Sequence, residues 1–250
     1  MNKRSLFTFI LLVVPALGFG EERDGKTIVR DAINHWRGLS SYTEMTMLIH
    51  RPDWERSMTM QAWTKGDDRT LVRVLEPKKD RGNGSLTDDK SMWSYSPKVN
   101  RVIKVPSSMM GQGWMGSDFS NKDIARADDI VDEYEHSVLS VDEVEGVNVY
   151  EIESIPLEDA AVVWGSEVLR IREDHVVLEH SFFDQDGELV KSLITMEVVT
   201  MGGRTIAKRQ RMTKADDTNE WTEIQVNVVE YEVDLKDSLF TLSNLRNPRD

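Results

Sequence analysis

The residues of this chain that suit covalent or cofactor chemistry do not have the spacing that such chemistry needs. Gly111, Gly113 and Gly116 match the glycine fingerprint of dinucleotide-binding folds as a string. That fingerprint requires a hydrophobic strand before it and a crossover helix after it. Neither pattern flanks these glycines, and the bulky Trp114 and Met115 occupy the turn. We therefore expect no nucleotide binding.

Metal ligation is equally unsupported by spacing. The chain has five histidines, His35, His50, His136, His175 and His180. The offset between the last two places them on opposite faces of a predicted strand, because side chains alternate along a strand. The run from Asp184 to Gly187 begins like a calcium loop, but Leu193 stands where that loop needs an acidic ligand. We expect neither a metal nor a cofactor.

Nucleophilic catalysis has candidates but no pattern. The chain contains no cysteine and no Gly-x-Ser-x-Gly elbow. Ser107, Ser108 and Ser117 lie in one glycine-rich region, while histidines and aspartates occur elsewhere without a recognisable spacing. An acyl-ester hydrolase built on these serines remains an alternative function. The prediction is that the protein is not an enzyme.

The apolar residues carry a stronger signal. Residues 105–124 combine methionines, Trp114 and Phe119 with three glycines, and further methionines occupy predicted strands. Methionine adapts to irregular apolar space, and glycine permits turns that other residues refuse. We predict an apolar ligand cavity with residues 105–124 as either a moving lid or a fixed plug. The candidate ligand contacts are Met45, Met47, Met58, Met60, Trp93, Tyr95, Met109, Met110, Trp114, Met115 and Phe119.

The elements that must position these residues follow from hydrophobic periodicity. Asp24 is a plausible N-cap for an amphipathic helix that ends near Gly38. From residue 41 the period changes to two, which predicts about a dozen consecutive antiparallel strands. Ser120 or Asn121 can cap a short helix, and residues 77–90 are predicted to be a charged connection. The predicted strands are 44–49, 56–62, 69–74, 92–95, 99–104, 134–141, 147–155, 167–172, 175–183, 189–201, 204–213 and 221–233.

The fold class that follows is mainly β with a few helices. We predict a single strongly curved antiparallel sheet, closed by the leading helix and by the central helical or loop segment. Residues 1–20 have a positive start and a short apolar core, which is typical of a cleaved signal peptide. Residues 21–250 are expected to form one domain. Export implies a periplasmic protein, and the absence of cysteine excludes a lipid anchor and disulfides.

The charge balance narrows the partners. The formal net charge is -13, from 31 basic and 44 acidic side chains. Such acidity argues against binding nucleic acid or anionic headgroups through bulk electrostatics. Any lipid contact should therefore be made to acyl chains inside a cavity. We expect a monomer.

Several motifs together resemble the LolA-like family of periplasmic outer-membrane lipoprotein-sorting proteins. They are Met92 to Tyr95, the run from Met109 to Ile124 and the late run from Asp237 to Leu242. The likeness covers nearly the whole chain after the signal peptide, and its most specific part is Gly113 to Phe119. It implies an incomplete barrel whose concave apolar face, closed by helices, holds acyl chains.

The resemblance also implies partners and leaves a role open. It implies a carrier that moves acyl chains of lipoproteins, or free lipid, toward the outer membrane, in the latter case beside an inner-membrane RND-type transporter. An envelope sensor on the same fold is a further alternative. In the lipoprotein carriers an arginine near the start of the sheet controls the lid. Arg51 and Arg56 lie nearby in this sequence, but neither aligns with that position, so the role is not transferred.

Overall fold

The computed structural model describes residues 23–160 and 162–248. Its described part contains thirteen antiparallel strands in one sheet and four α-helices. The strands are β1 Ser40–Arg51, β2 Trp54–Lys65, β3 Arg69–Glu76, β4 Gly84–Asp88, β5 Ser91–Ser96, β6 Arg101–Lys104, β7 Tyr134–Val144, β8 Val147–Pro156, β9 Ser166–Arg172, β10 Val177–Phe183, β11 Leu189–Met201, β12 Arg204–Lys214 and β13 Trp221–Tyr231. The helices are α1 Gly25–Arg37, α2 Asn121–Ala125, α3 Asp129–Asp132 and α4 Leu242–Arg246. The predicted signal peptide lies outside the described residues.

The order of the strands explains why the sheet is an incomplete barrel. It runs β6-β5-β4-β3-β2-β1-β13-β12-β11-β10-β9-β8-β7. Two meanders are thus joined by the pairing of β1 with β13, and β6 and β7 form the two edges. Residues 105–133 must therefore pass from one edge to the other. The predicted fold class, one curved antiparallel sheet closed by helices, is confirmed.

Helix α1 forms where its sequence predicts. The Asp24 side chain accepts a hydrogen bond from the Thr27 backbone N–H at 3.2 Å, which caps the first turn. Gly38 has a φ of 66° and ends the helix. The apolar face buries Ile28, Val29 and Ala32 against the strands of the second meander.

Three details of the predicted layout are wrong. The connection predicted for residues 77–90 contains β4, which pairs with β3 and β5 on its two sides. Charged and turn-forming neighbours conceal a strand of only five residues, four of them buried. Helix α4 was not predicted; it packs Leu245 on the convex face. His175, predicted to begin a strand, lies in a turn with a φ of 70°.

Candidate functional site

An apolar cavity of about 340 Å³ lies on the concave face of the sheet. Its walls come from α1, α2, both meanders and the segment between the sheet edges. This volume lies within the range of about 300–1,000 Å³ that is typical of small-molecule sites. The cavity is therefore the candidate functional site.

The methionines of β1 and β2 lie on this concave side. Met45 pairs with Met60 across the two strands, and Met47 pairs with Met58. Met47, Met58 and Met60 are almost fully buried. They lie in one cluster with Trp114, and Met45 packs against that cluster. Of these four methionines, only Met45 lines the open cavity; the other three lie beneath the central segment.

Trp114 is the residue that fills this part of the concave face. Its side chain is 3% exposed and packs on the methionine cluster. The indole Nε1–H donates to Ser85 Oγ at 2.9 Å, so the polar atom of the ring is also satisfied. Phe119, 7% exposed, packs with Phe182 and Met212 from the second meander. Both aromatic rings line the cavity.

A buried carboxylate anchors the same segment to the sheet. The Asp118 side chain is 0% exposed and accepts hydrogen bonds from Arg51 Nη1 and Nη2 at 3.1 and 3.0 Å. Thr222 Oγ1 donates to Asp118 Oδ2 at 2.6 Å, and the Asp118 backbone N–H donates back to the Thr222 hydroxyl. Arg51 also contacts Glu220. The segment is thus fixed at the far ends of β1 and β13.

The segment continues into α2 through a second anchor. Ser120 and Asp123 form a capping box at the start of α2. Asp123 also pairs with Lys191, a lysine that is only 6% exposed. The Lys191 ammonium lies over the rings of Trp164 and Phe182. Helix α2 is therefore tied to β11 of the second meander.

The three methionines of the segment have different surroundings. Met109 is 41% exposed. Met110 and Met115 are partly buried and pack against the methionine cluster. Met115 has a left-handed backbone with a φ of 52°, and Arg56 Nη1 donates to its carbonyl at 3.2 Å. Arg51 and Arg56, the two arginines left unassigned by the sequence, therefore both bind this segment.

Trp93 and Tyr95 do not lie on the cavity wall, so their predicted place in an acyl-chain site is wrong. They pack with Leu86, Leu235 and other residues of a separate cluster beneath the C-terminal helix. The physical reason is the alternation of β5. Met92, between β4 and Trp93, packs in the methionine cluster, so its neighbour in sequence points to the opposite face.

Sequence analysis missed the polar residues of the cavity wall. Glu167, 5% exposed, accepts a hydrogen bond from the Tyr134 hydroxyl and binds His180 Nε2. Burial raises the pKa of Tyr134, so the phenol keeps its proton. A signal was present: Glu167 shares the alternation phase of Leu169 and Ile171. A charged residue in an inward phase indicates a buried partner.

Arg37 is a second missed residue of the wall. It belongs to the last turn of α1, lines the cavity and is 4% exposed. Its position four residues after Ile33 places it on the buried side of the helix. Burial lowers the pKa of Arg37, while Asp128, Asp67 and Asp68 act in the opposite direction. The guanidinium is thus a buried cation at one end of the cavity.

The serines of the alternative hydrolase are not arranged for catalysis. Ser107 and Ser108 are exposed. The Ser117 hydroxyl donates to the Trp114 carbonyl at 2.7 Å and accepts from the Phe119 N–H. It therefore stabilises the turn of the segment. Among the described residues, no group of histidine, aspartate and glutamate side chains has the geometry of a metal site.

Comparison with known proteins agrees with this architecture. A family model whose description names only an uncharacterized protein matches residues 66–247. No curated protein matches the chain. A crystal structure of a DUF1329 family protein from Desulfovibrio piger is 25% identical, with a TM-score of 0.80 over 88% of this chain and 97% of that one.

Two further crystal structures share the fold. A Vibrio parahaemolyticus domain named as an outer membrane lipoprotein-sorting protein is 20% identical, with a TM-score of 0.76 over 89% of this chain and 98% of that one. A LolA superfamily protein from Nitrosomonas europaea is 21% identical, with a TM-score of 0.73 over 88% of this chain and 99% of that one. The chain belongs to the LolA-like family. Within residues 23–160 and 162–248, no helix is long and apolar enough to cross a membrane.

Proposed function

We propose that this protein is a periplasmic carrier that binds acyl chains of lipoproteins or lipids in the concave cavity and moves them toward the outer membrane. The observation that carries the proposal is the apolar cavity of about 340 Å³ between the curved sheet and its cover of α1, α2 and residues 105–124. Binding involves no chemistry. Affinity comes from apolar area removed from water, at about 25 cal/mol per Å².

The proposed acyl-chain site has an open part and a covered part. Met45, Trp114 and Phe119 line the cavity as it stands and are the first contacts of a ligand. Met47, Met58 and Met60 lie under Trp114 and become accessible only when that ring moves. Met109, Met110 and Met115 lie on the segment that would move with it. Binding of a longer chain therefore requires displacement of residues 105–124.

Two kinds of contact would resist that displacement. The ring of Trp114 leaves an apolar bed, and the Asp118 carboxylate is held by Arg51 and Thr222. The ends of the segment join the sheet edges, so the segment moves without changing the strand order. A ligand that replaces the indole on the methionines offsets the loss of packing. This exchange couples loading to motion of the segment.

The direct test is the composition of the purified protein. Native mass spectrometry of protein isolated from cells should show co-purifying lipid or lipoprotein, and delipidated protein should take up a fluorescent fatty acid. Signal-peptide cleavage and location follow from the N-terminal mass and from periplasmic extraction. A bare polypeptide mass combined with no fatty-acid uptake would refute the carrier.

A cavity-filling variant locates the ligand. Ala62 lines the cavity and is 6% exposed, whereas Ala215 is exposed in the turn between β12 and β13. Ala62→Phe should lower fatty-acid uptake because its ring occupies the space of the chain. Ala215→Phe adds the same ring outside the cavity and should leave uptake unchanged. Equal uptake by both variants, at wild-type far-UV spectra, would place the ligand elsewhere.

A further inference from the structure

The inward residues of β1, β2 and β3 change from apolar to polar along the strands. Met45 pairs with Met60 in the apolar part, and Ser41 pairs with Thr64 at the other end. Thr70 of β3 continues the polar row beside Thr64. Four residues of strand separate Ser41 from Met45, about 13 Å at roughly 3.3 Å per residue. The cavity thus has an apolar end and a polar end.

Arg37 lies at the polar end. Its Nη2 donates to the carbonyls of Gly66 and Asp67 at 3.0 and 3.1 Å. Its own carbonyl accepts from the Thr64 hydroxyl at 3.4 Å, and Thr64 bonds Ser41 Oγ at 2.6 Å. The guanidinium is therefore held in one position by the turn between β2 and β3.

The guanidinium is not neutralised by a contact of its own. Its Nε is buried without a hydrogen-bond partner in the described part of the chain. Only Nη2 bonds protein atoms there, and no carboxylate lies within ion-pair distance. Asp128, Asp67 and Asp68 act on it only through space. Removing a charge from water without a paired counter-ion costs several kcal/mol.

We infer that Arg37 is the head-group site of the carrier and that it selects an acyl chain ending in an oxyanion, a carboxylate or a phosphate. This inference rests on the proposed function. A planar guanidinium with free N–H groups matches the geometry of both oxyanions. The acidic surface repels anions in bulk, so such a ligand needs a local buried cation. The chain then extends from Arg37 toward Met45 and Trp114.

The test compares ligands that share a sixteen-carbon chain. Palmitate, hexadecyl phosphate and neutral hexadecanol compete against the uncharged fluorescent probe N-phenyl-1-naphthylamine bound to the wild-type protein. A charge-assisted hydrogen bond is worth roughly a tenfold change in Kd or more. Palmitate or hexadecyl phosphate should therefore bind at least about tenfold more tightly than hexadecanol. The two anionic arms show which oxyanion is preferred.

Variants assign the preference to Arg37. In Arg37→Met the advantage of the anionic ligands should fall to within about twofold, with hexadecanol affinity unchanged, because the side chain keeps its length but loses its charge. Arg37→Lys keeps the charge without the planar fork and should retain part of the preference. Arg30→Met is the matched control: Arg30 lies on the exposed side of α1 and contacts Asp132.

The outcomes separate the two levels of the proposal. Equal wild-type affinity for palmitate and hexadecanol overturns the head-group site while leaving the carrier intact, and this result needs no variant to fold. An undiminished preference in folded Arg37→Met overturns it as well. Failure of all three ligands and of the probe to bind overturns the proposed carrier itself.

Discussion

The two ends of the concave face differ in how they are completed. At the methionine end, Met47, Met58 and Trp114 are 0%, 1% and 3% exposed, and the indole nitrogen has its partner. At the Arg37 end, a buried guanidinium lines open cavity with its Nε unpaired. The same two strands, β1 and β2, run through both ends.

The difference separates stability from function. A closely packed apolar end contributes to the free energy of unfolding, because filled space keeps its dispersion contacts. A buried unpaired cation lowers that free energy and is retained when another role requires it. We therefore expect substitutions at the methionine end to affect stability first. The predictions below test this contrast, beginning with the largest expected effect.

Trp114→Ala should lower the free energy of unfolding by about 3–5 kcal/mol, because it empties the space above the methionine cluster. Met109→Ala, at an exposed position of the same segment, is the control and should cost less than about 1 kcal/mol. Urea denaturation measures both, with fatty-acid binding measured beside it. Unchanged affinity per folded molecule would identify residues 105–124 as a plug. Weaker binding with little loss of stability would identify a lid.

Asp118→Asn should cost about 3 kcal/mol, because it leaves the buried Arg51 charge without its bidentate partner. The control is Asp132→Asn. Asp132 pairs with Lys26 and is 79% exposed, so its loss should change stability by less than about 1 kcal/mol. Thermal melting of the two variants compares them. Equal shifts in Tm would show that the Asp118 anchor is not a main support of the segment.

Gly113→Ala and Gly111→Ala form a matched pair within the segment. A Cβ at Gly113 would lie 2.5 Å from the Ser117 carbonyl oxygen, whereas a Cβ at Gly111 has no atom within 4 Å. The first substitution should cost about 1–3 kcal/mol and the second less than about 0.5 kcal/mol. Denaturant unfolding measures both. A similar cost at the two positions would mean that the segment is loosely packed around Gly113.

The smallest effect concerns α1, the helix that carries Arg37. His136 of β7 packs beside Gly25 of α1, and its Nδ1 bonds Ser154 Oγ at 2.9 Å. Burial lowers the pKa of His136 below its ordinary value of 6.5. The unfolded chain therefore binds this proton more readily. The His136 contribution to stability should be retained above about pH 6.5 and lost as the pH falls through the lowered pKa.

The measurement is urea denaturation of wild type and His136→Gln from pH 7.5 to 5. Burial raises the pKa values of Asp128 and Asp129, which acts in the opposite direction, since their contribution is lost as the pH rises through the raised values. Only the difference between wild type and variant therefore isolates His136. Wild type should lose more stability than the variant on acidification. His50→Gln, at a partly exposed position, is the control.

Much of the fold was predictable because it depends on local rules. The cap at Asp24, the stop at Gly38 and the capping box at Ser120 use side-chain bonds within a few residues. The strand from Leu189 to Met201 follows its alternation over its whole length. Strand β4 was missed because five residues carry too little periodicity to outweigh their charged neighbours.

The candidate site was predictable only in part. The shared face of Met45 and Met60 follows from alternation together with a tight turn. The placement of Trp93 on the other face depends on the phase of β5, which Met92 decides. The bond between Arg51 and Asp118 joins residues 67 apart in the chain. No short-range pattern specifies such a contact.

By itself the sequence determined the mainly β fold class, the leading helix, the concentration of methionine and the importance of residues 105–124, since period, capping and composition are local properties. Tertiary structure decided where the chain closes on itself. The pairing of β1 with β13 puts β6 and β7 at opposite edges, so the central segment must cross the concave face. Only that crossing buries Trp114 on the methionines and leaves open space beside Arg37, because it depends on contacts between residues far apart in the chain.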